Sequence, residues 1–444
     1  MKMKNLKSIL ALVLLICLGF SSRADEGPKT EEFEVNGLKV ILRNSVKGTV
    51  SARLFVQGGT ANYSKANEGI ESLALSLVMT SGPQNMTKSE FDAASEGVGA
   101  SLSSNSGYDY SHMSLNCVKM YWDESWKIFA AAITNPAFRQ DEFNILKQQL
   151  VTASKQSTTN PDVQLDRLSM SNTWEGSDYE KIPSGNPESL ESLEMAQVKS
   201  HYEDIVTRKN AFLVVVGNIT KEDLKAKVES SLAKLPEGSE PQRIHVEEGV
   251  EEGVFVEDRD IETNYIQGVF SAPKKGTDES TYNSLAMSIL GDRFFEELRT
   301  KRSLSYAPAA YSTGYMARPT NEIYISTTDP KASLEVMVNE VNKVKTEGFE
   351  KKELEGKKQE YLTGYFMGQQ TNSSISMSLG INEMNGGWEN MDTFTSRVLE
   401  TKLKDVNLVM QEFGDKIHWT YLGKEELVQP EYFKQPVKPE KMKN

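Results

Sequence analysis

The sequence predicts an α+β protein of two similar halves, each an antiparallel sheet packed with helices. Three observations carry this. The chain has 444 residues, enough for two or three domains at roughly 150 residues each. Strand-like alternation and helical spacing interleave along it, in an order that runs once before residue 236 and again after residue 253. Between the two runs lies a polar stretch, 237–252, rich in Pro, Gly and Glu, which reads as a linker.

The first half, 30–236, opens with Phe33 to Leu42, where Asn36-Gly37 amid alternating residues marks a β-hairpin. Ser51 to Gln57 alternates as a third strand. Asn67 to Met79 has helical spacing, with Ile70, Leu73 and Leu77 on one face. Lys88 to Gly97 reads as a short helix, and Ser101 to Val118 as two strands around Gly107. Asp123 to Thr134 and Gln140 to Gln156 read as helices. Ala211 to Gly217 is a continuous apolar strand, followed by a helix from Lys221 to Leu235.

The second half, 253–435, repeats the order. Gly253 to Val256 and Tyr265 to Ser271 read as strands, then Ser280 to Leu290 and Asp292 to Thr300 as two helices. Strands follow at Ala307 to Tyr315 and Glu322 to Thr328. Pro330 to Thr346, Glu350 to Met367 and Asn372 to Asn382 read as helices. Ile417 to Leu422 is the last strand, and 436–444 is a polar tail. The eight charges from Glu350 to Glu360 read as a solvated helix face with i,i+4 pairs.

Residues 1–24 have the pattern of a secretory signal peptide: Lys2, Lys4 and Lys7, an apolar run from Ser8 to Phe20, then Ser22-Arg23-Ala24 before Asp25. The run is shorter than the roughly 20 residues that span a bilayer. Leu15-Ile16 before Cys17 is not a lipoprotein site, so the expectation is export without a membrane span after cleavage. Periplasm is the expected destination. Cleavage leaves Cys117 as the lone thiol, in a strand, where it reads as a small buried hydrophobe.

Composition narrows the function. The net charge is −13, which argues against docking on nucleic acid or anionic lipid, since both need clustered cations. There are 4 His and 2 Cys. His112, His201, His245 and His418 are isolated in sequence, and each reads as structural rather than ligating. Phosphate-binding loops, dinucleotide fingerprints and nucleophile elbows are missing.

One segment points further. A strand ends in Gly58-Gly59, a polar loop follows, and a helix opens at Gly69-Ile70. This resembles the start of the M16 metallopeptidases, the pitrilysin and mitochondrial processing peptidase group. Lys88 to Phe91, Asn135-Pro136-Ala137-Phe138, His201-Tyr202 and Val216-Gly217-Asn218 resemble further landmarks of that family, in family order. The resemblance implies two M16-type domains forming a clamshell cavity. Active members carry His-x-x-Glu-His on this helix, two zinc ligands around a general base, and a third ligand, a Glu, on a later helix. Those positions fall here on Ser72, Leu75, Ser76 and Ala153, or Thr152 with a one-residue slip. The resemblance therefore implies no metal and no catalytic residue of this chain's own.

In the second half, Phe294 to Tyr306 resembles the family segment ending Leu-Arg-x-Lys-Arg-Gly-Leu-x-Tyr, with Ser303 at the Gly. Its Arg and Tyr, read four apart as Arg302 and Tyr306, are implied to contact peptide in an oxyanion-type role. From residue pattern alone, they are a helix-end Arg and a strand-start Tyr. Three functions stay open. The first is a non-catalytic subunit that forms a heterodimer with a zinc-bearing M16 chain and helps hold unstructured peptide, with an edge strand of the second half as backbone partner. The second is an inactive M16-fold scaffold or protein-binding protein of the envelope. The third, a self-sufficient hydrolase with another site, would need stoichiometric zinc in the chain.

Overall fold

A computed structural model describes residues 29–241 and 249–434. The expected signal peptide, most of the linker with His245, and the polar tail lie outside the described residues.

The first half is built on a six-stranded sheet of β1 (Thr30–Val35), β2 (Leu38–Asn44), β3 (Thr49–Gln57), β4 (Ser101–Ser106), β5 (Tyr110–Val118) and β6 (Ala211–Gly217), in the order β1-β2-β6-β3-β5-β4. The β1–β2 hairpin turns at Asn36 and Gly37, both with positive φ, 51° and 83°. That is the turn whose twist matches the flanking strands. Its helices are α1 (Ile70–Ser81), α2 (Lys88–Gly97), α3 (Trp122–Thr134), α4 (Gln140–Ser157), α5 (Pro161–Thr173), α6 (Pro187–Ser192), α7 (Met195–Ile205) and α8 (Lys221–Ser230).

The second half has β7 (Gly253–Asp258), β8 (Asn264–Ser271), β9 (Ala309–Ser312), β10 (Thr320–Thr327) and β11 (His418–Gly423), in the order β7-β11-β8-β10-β9. Its helices are α9 (Asp278–Phe294), α10 (Pro330–Glu347), α11 (Lys351–Gly368), α12 (Asn372–Met384), α13 (Asn390–Glu400) and α14 (Leu403–Phe413). Both sheets are antiparallel apart from one pair in each: β2 runs parallel to β6, and β7 to β11. Strands β2-β6-β3-β5-β4 and β7-β11-β8-β10-β9 thus share one order and one pattern of directions. The duplication, faint in the residues, is plain in the topology.

Each sheet packs its own helices on one face. The first core gathers Leu54, Leu73, Leu77, Phe129 and Leu213. The second gathers Ile266, Leu290, Ile323, Val341 and Trp419. The other face of each sheet is covered by a helix of the opposite half. α12 lies on β3 and β6, and α5 lies on β8 and β11. These two helices hold equivalent places, each following the long helix of its half.

The structure corrects three local expectations. Helices 280–290 and 292–300 are one: α9 runs through Gly291 and passes into a wider π-helical segment, Phe295–Thr300. Gly291 is not a break but a point of close approach, since a Cβ there would sit 3.1 Å from the Ala310 carbonyl oxygen. The strand expected over 307–315 keeps only Ala309–Ser312. The face of α11 expected to be solvated is partly buried. Lys357 pairs with Asp292 at 2.6 Å and Glu360 at 2.7 Å, and Glu353 takes a two-pronged bond from Arg293. Among the described residues, no helix is long and apolar enough to cross a membrane.

Candidate functional site

α1 begins where only glycine fits. Gly69 has φ 85°, and a Cβ on it would lie 2.8 Å from Gly185 Cα and from a Leu190 methyl. From there Leu73, Ala74, Leu75, Leu77 and Val78 are fully buried. Leu75, which the resemblance aligns with the general base, is part of that core. Ser72 and Ser76 are half-buried, and Ser76 Oγ lies 3.1 Å from Ser104 Oγ on β4. Ala153 and Thr152 are exposed on α4, whose buried face is Phe143, Val151 and Ser154.

The donor set for a metal is therefore two neutral hydroxyls, a buried isobutyl group and a methyl. Zinc needs thiolate, imidazole or carboxylate, so these residues do not fit it. Among the described residues, no three His, Cys, Asp or Glu side chains come together as a metal site. The acid beside these positions turns inward. Glu71 is fully buried; it accepts from Ser111 Oγ and from Asn62 Nδ2 at 3.0 Å, and lies 3.3 Å from His201 Nε2.

The second-half segment has a different character. Tyr306 is 79% exposed. The guanidinium over its ring is that of Arg299, 4.2 Å from the ring centroid, and Arg299 also lies 4.7 Å from the Phe295 ring. Arg302 turns back, donating to the Glu297 carbonyl oxygen at 2.9 Å and to its carboxylate. Lys301 first, then Arg302, holds the Glu297 carboxyl below the usual range. So the structure brings Arg299, not Arg302, to Tyr306. The π-helical turn hides this from a reading by helical spacing. Ser303, at the family's glycine, takes φ 53°, the left-handed region.

A third region was not legible in the sequence. The halves meet around Asp109, which accepts from the backbone N–H groups of Met316 at 2.9 Å and Ala317 at 3.0 Å and from the Tyr179 hydroxyl. Burial pushes its carboxyl up, against those bonds. Beside it opens a cleft of about 570 Å³ between α5 and β8–β10.

The remaining single residues are structural. Cys117 is free and buried, and burial raises its thiol. His112 is buried against Arg53, with burial holding it neutral down to about 3. Burial also lowers His418.

Comparison with known proteins agrees with this geometry. The family description "Insulinase (Peptidase family M16)" matches residues 39–183, and "Peptidase M16 inactive domain" matches 192–361. The zinc protease PqqE of Helicobacter pylori is 25% identical over 252 residues, covering 54% of this chain and 56% of that protein. Subunit 1 of the mitochondrial cytochrome b-c1 complex of Saccharomyces cerevisiae is 26% identical over 226 residues, covering 48% and 46%. The aligned part is thus about half the length of each. A solved peptidase M16 inactive domain from Pseudomonas fluorescens superposes with TM-score 0.82 at 19% identity, over 90% of this chain and 100% of that one. That likeness carries the fold.

Proposed function

The chain belongs to the peptidase M16 family, and on that premise we propose that it is the non-catalytic subunit of an exported two-chain zinc peptidase. One observation carries the reading. The positions that the resemblance aligns with the metal site are filled by core leucine, hydroxyl and methyl groups, while in the other half Tyr306 stands exposed with the half-buried Arg299 guanidinium over its ring. A zinc-bearing M16 partner would supply metal, water and general base. This chain would present the Tyr306 hydroxyl and the Arg299 guanidinium to the peptide, with Arg302 bracing the turn through Glu297. β7, an edge strand paired only with β11, offers backbone groups to an extended peptide. The basic, apolar and small-residue pattern of 1–24 supports export, in the periplasmic setting expected from the sequence.

The test is to purify the chain alone, measure its zinc, and mix it with the zinc-bearing M16 chain expressed beside it. The expected result is no stoichiometric zinc in this chain, and hydrolysis of unstructured peptides by the mixture well above either chain alone. Stoichiometric zinc here, or a mixture no more active than its parts, overturns the proposal. The likeness to a cytochrome b-c1 subunit favours a second reading, a scaffold without proteolysis. Co-purification with a non-peptidase assembly, and no gain of hydrolysis with any M16 chain, would select it.

A further inference from the structure

The cleft between α5 and the second sheet has the makings of a ligand site that the peptide reading does not use. Its volume, about 570 Å³, lies within the range of small-molecule sites. At its base sits Glu322, 5% exposed, accepting from Tyr311 Oη at 2.7 Å and Gln267 Nε2 at 2.9 Å. On the opposite wall is Asp166, exposed to the cleft. Gln267 is 3% exposed, and its Oε1 is buried without a hydrogen-bond partner. Buried acceptors are almost always satisfied. Here two carboxyl groups face one cleft from opposite sides, with Gln267 buried beside Glu322, and no Lys or Arg of the described residues forms an ion pair with either acid.

Arg167, next to Asp166 on α5, lines the same cleft and has no ion-pair partner among the described residues. Burial lowers its affinity for its proton, a cost a bound anion would relieve. The rings of Tyr108, Tyr311 and Tyr315 complete the wall. Acidic and basic groups thus line one cleft with no ion pair between them among the described residues. Two carboxylates with no His or Cys make a poor transition-metal site, and aromatic walls suit an organic ligand.

We propose that this cleft binds a small zwitterion, an amino acid or dipeptide, with its ammonium between Asp166 and Glu322 and its carboxylate toward Arg167. The site belongs to this chain alone and does not depend on a zinc-bearing partner, so its failure and that of the subunit reading are separable.

The experiment is calorimetric titration of the full exported chain with L-alanyl-L-alanine, its N-acetyl derivative and its C-terminal amide. The expected result is a dissociation constant of about millimolar or tighter for the free dipeptide, weakened about tenfold or more by acetylation and less by amidation. Asp166→Asn should weaken the free dipeptide about tenfold. In Arg167→Ala, dipeptide and amide should bind alike. Unliganded melting temperatures of the variants check their folding, and the acetylated and amidated ligands test the wild type without mutation. No binding at tens of millimolar, equal binding of all three ligands, or full binding to a folded Asp166→Asn overturns the proposal. So does calcium or magnesium binding that competes with the dipeptide at equal concentration, since that would make the site a metal site.

Discussion

α5 and α12 occupy equivalent places in the two halves, and each lies on the other half's sheet. Yet the seams they make differ. Under α12 the contact is shut: Phe55 and Phe212 stack at 5.0 Å between centroids, with Ile375 and Leu379 against them. Gly380 lets the helix come down on the ring, since a Cβ there would meet Phe55 Cζ at 2.1 Å. Under α5 an apolar cluster of Met170, Trp174, Tyr179, Val269 and Ala317 closes part of the contact, and the rest is polar and open. Asp166, Gln267 and Glu322 stand where the other seam has rings and leucine, and a cleft remains. The polar seam keeps desolvated carboxyl groups that add nothing to packing, as expected of a surface kept for a ligand.

The comparison breaks most readily at the closed seam. Leu379→Ala removes a fully buried side chain and should cost about 2–5 kcal/mol in denaturant unfolding. Gly380→Ala should cost about 1–3 kcal/mol, because the Phe55 ring is fixed by its stack on Phe212 and cannot easily retreat. If both are tolerated within about 0.5 kcal/mol, the seam is not packed as described.

The polar seam should show itself through pH. Burial, with Asp162 second, raises the Asp166 carboxyl to about 6, and burial raises Glu322 and Asp109 too. A carboxyl group raised in the folded state binds more protons folded than unfolded. Its contribution is therefore full at low pH and is lost as pH rises through the folded value. Unfolding stability should increase as pH falls from about 7 to 5. Asp166→Asn should flatten that slope. The reverse slope, or one unchanged by the variant, contradicts the environment assigned to Asp166. The energy is not large, because Asp166 is solvent-open on the cleft side.

Smallest is Ser303→Gly, outside both seams. Relief of the left-handed φ, partly offset by glycine's chain entropy, should stabilise by up to about 1 kcal/mol. Ser303→Val should destabilise, since a β-branched residue resists that φ. Equal melting temperatures for the two would show that the turn is not held as described.

Much of this fold was legible. The hairpin at Asn36-Gly37, the buried run of β6 and helix α2 stand where alternation, turn chemistry and helical spacing place them. What failed has particular causes. No helix is marked over 161–173 by spacing, yet Asn160 accepts from the N–H groups of Asp162 and Val163, and Pro161 is the first residue of α5. The same pair recurs at Asn186-Pro187, opening α6. Gly291 looked like a break because sequence cannot show that β9 passes close by. The loss of the metal residues could be read by alignment to a family motif. Arg299 could not, because its approach to Tyr306 depends on a π-helical turn. The cleft was invisible because Asp166, Gln267 and Glu322 lie on three elements from both halves and carry no motif.

The account stands or falls on the open group of the second half. The most direct measurement is peptide hydrolysis by the proposed zinc-bearing partner in the presence of this chain, wild type against Arg299→Ala with Tyr306→Phe. Pair formation is followed in the same samples by size-exclusion chromatography. The account predicts that the double variant still pairs but loses about tenfold or more of the activity that the wild-type chain confers. A double variant that pairs and supports full hydrolysis would contradict it.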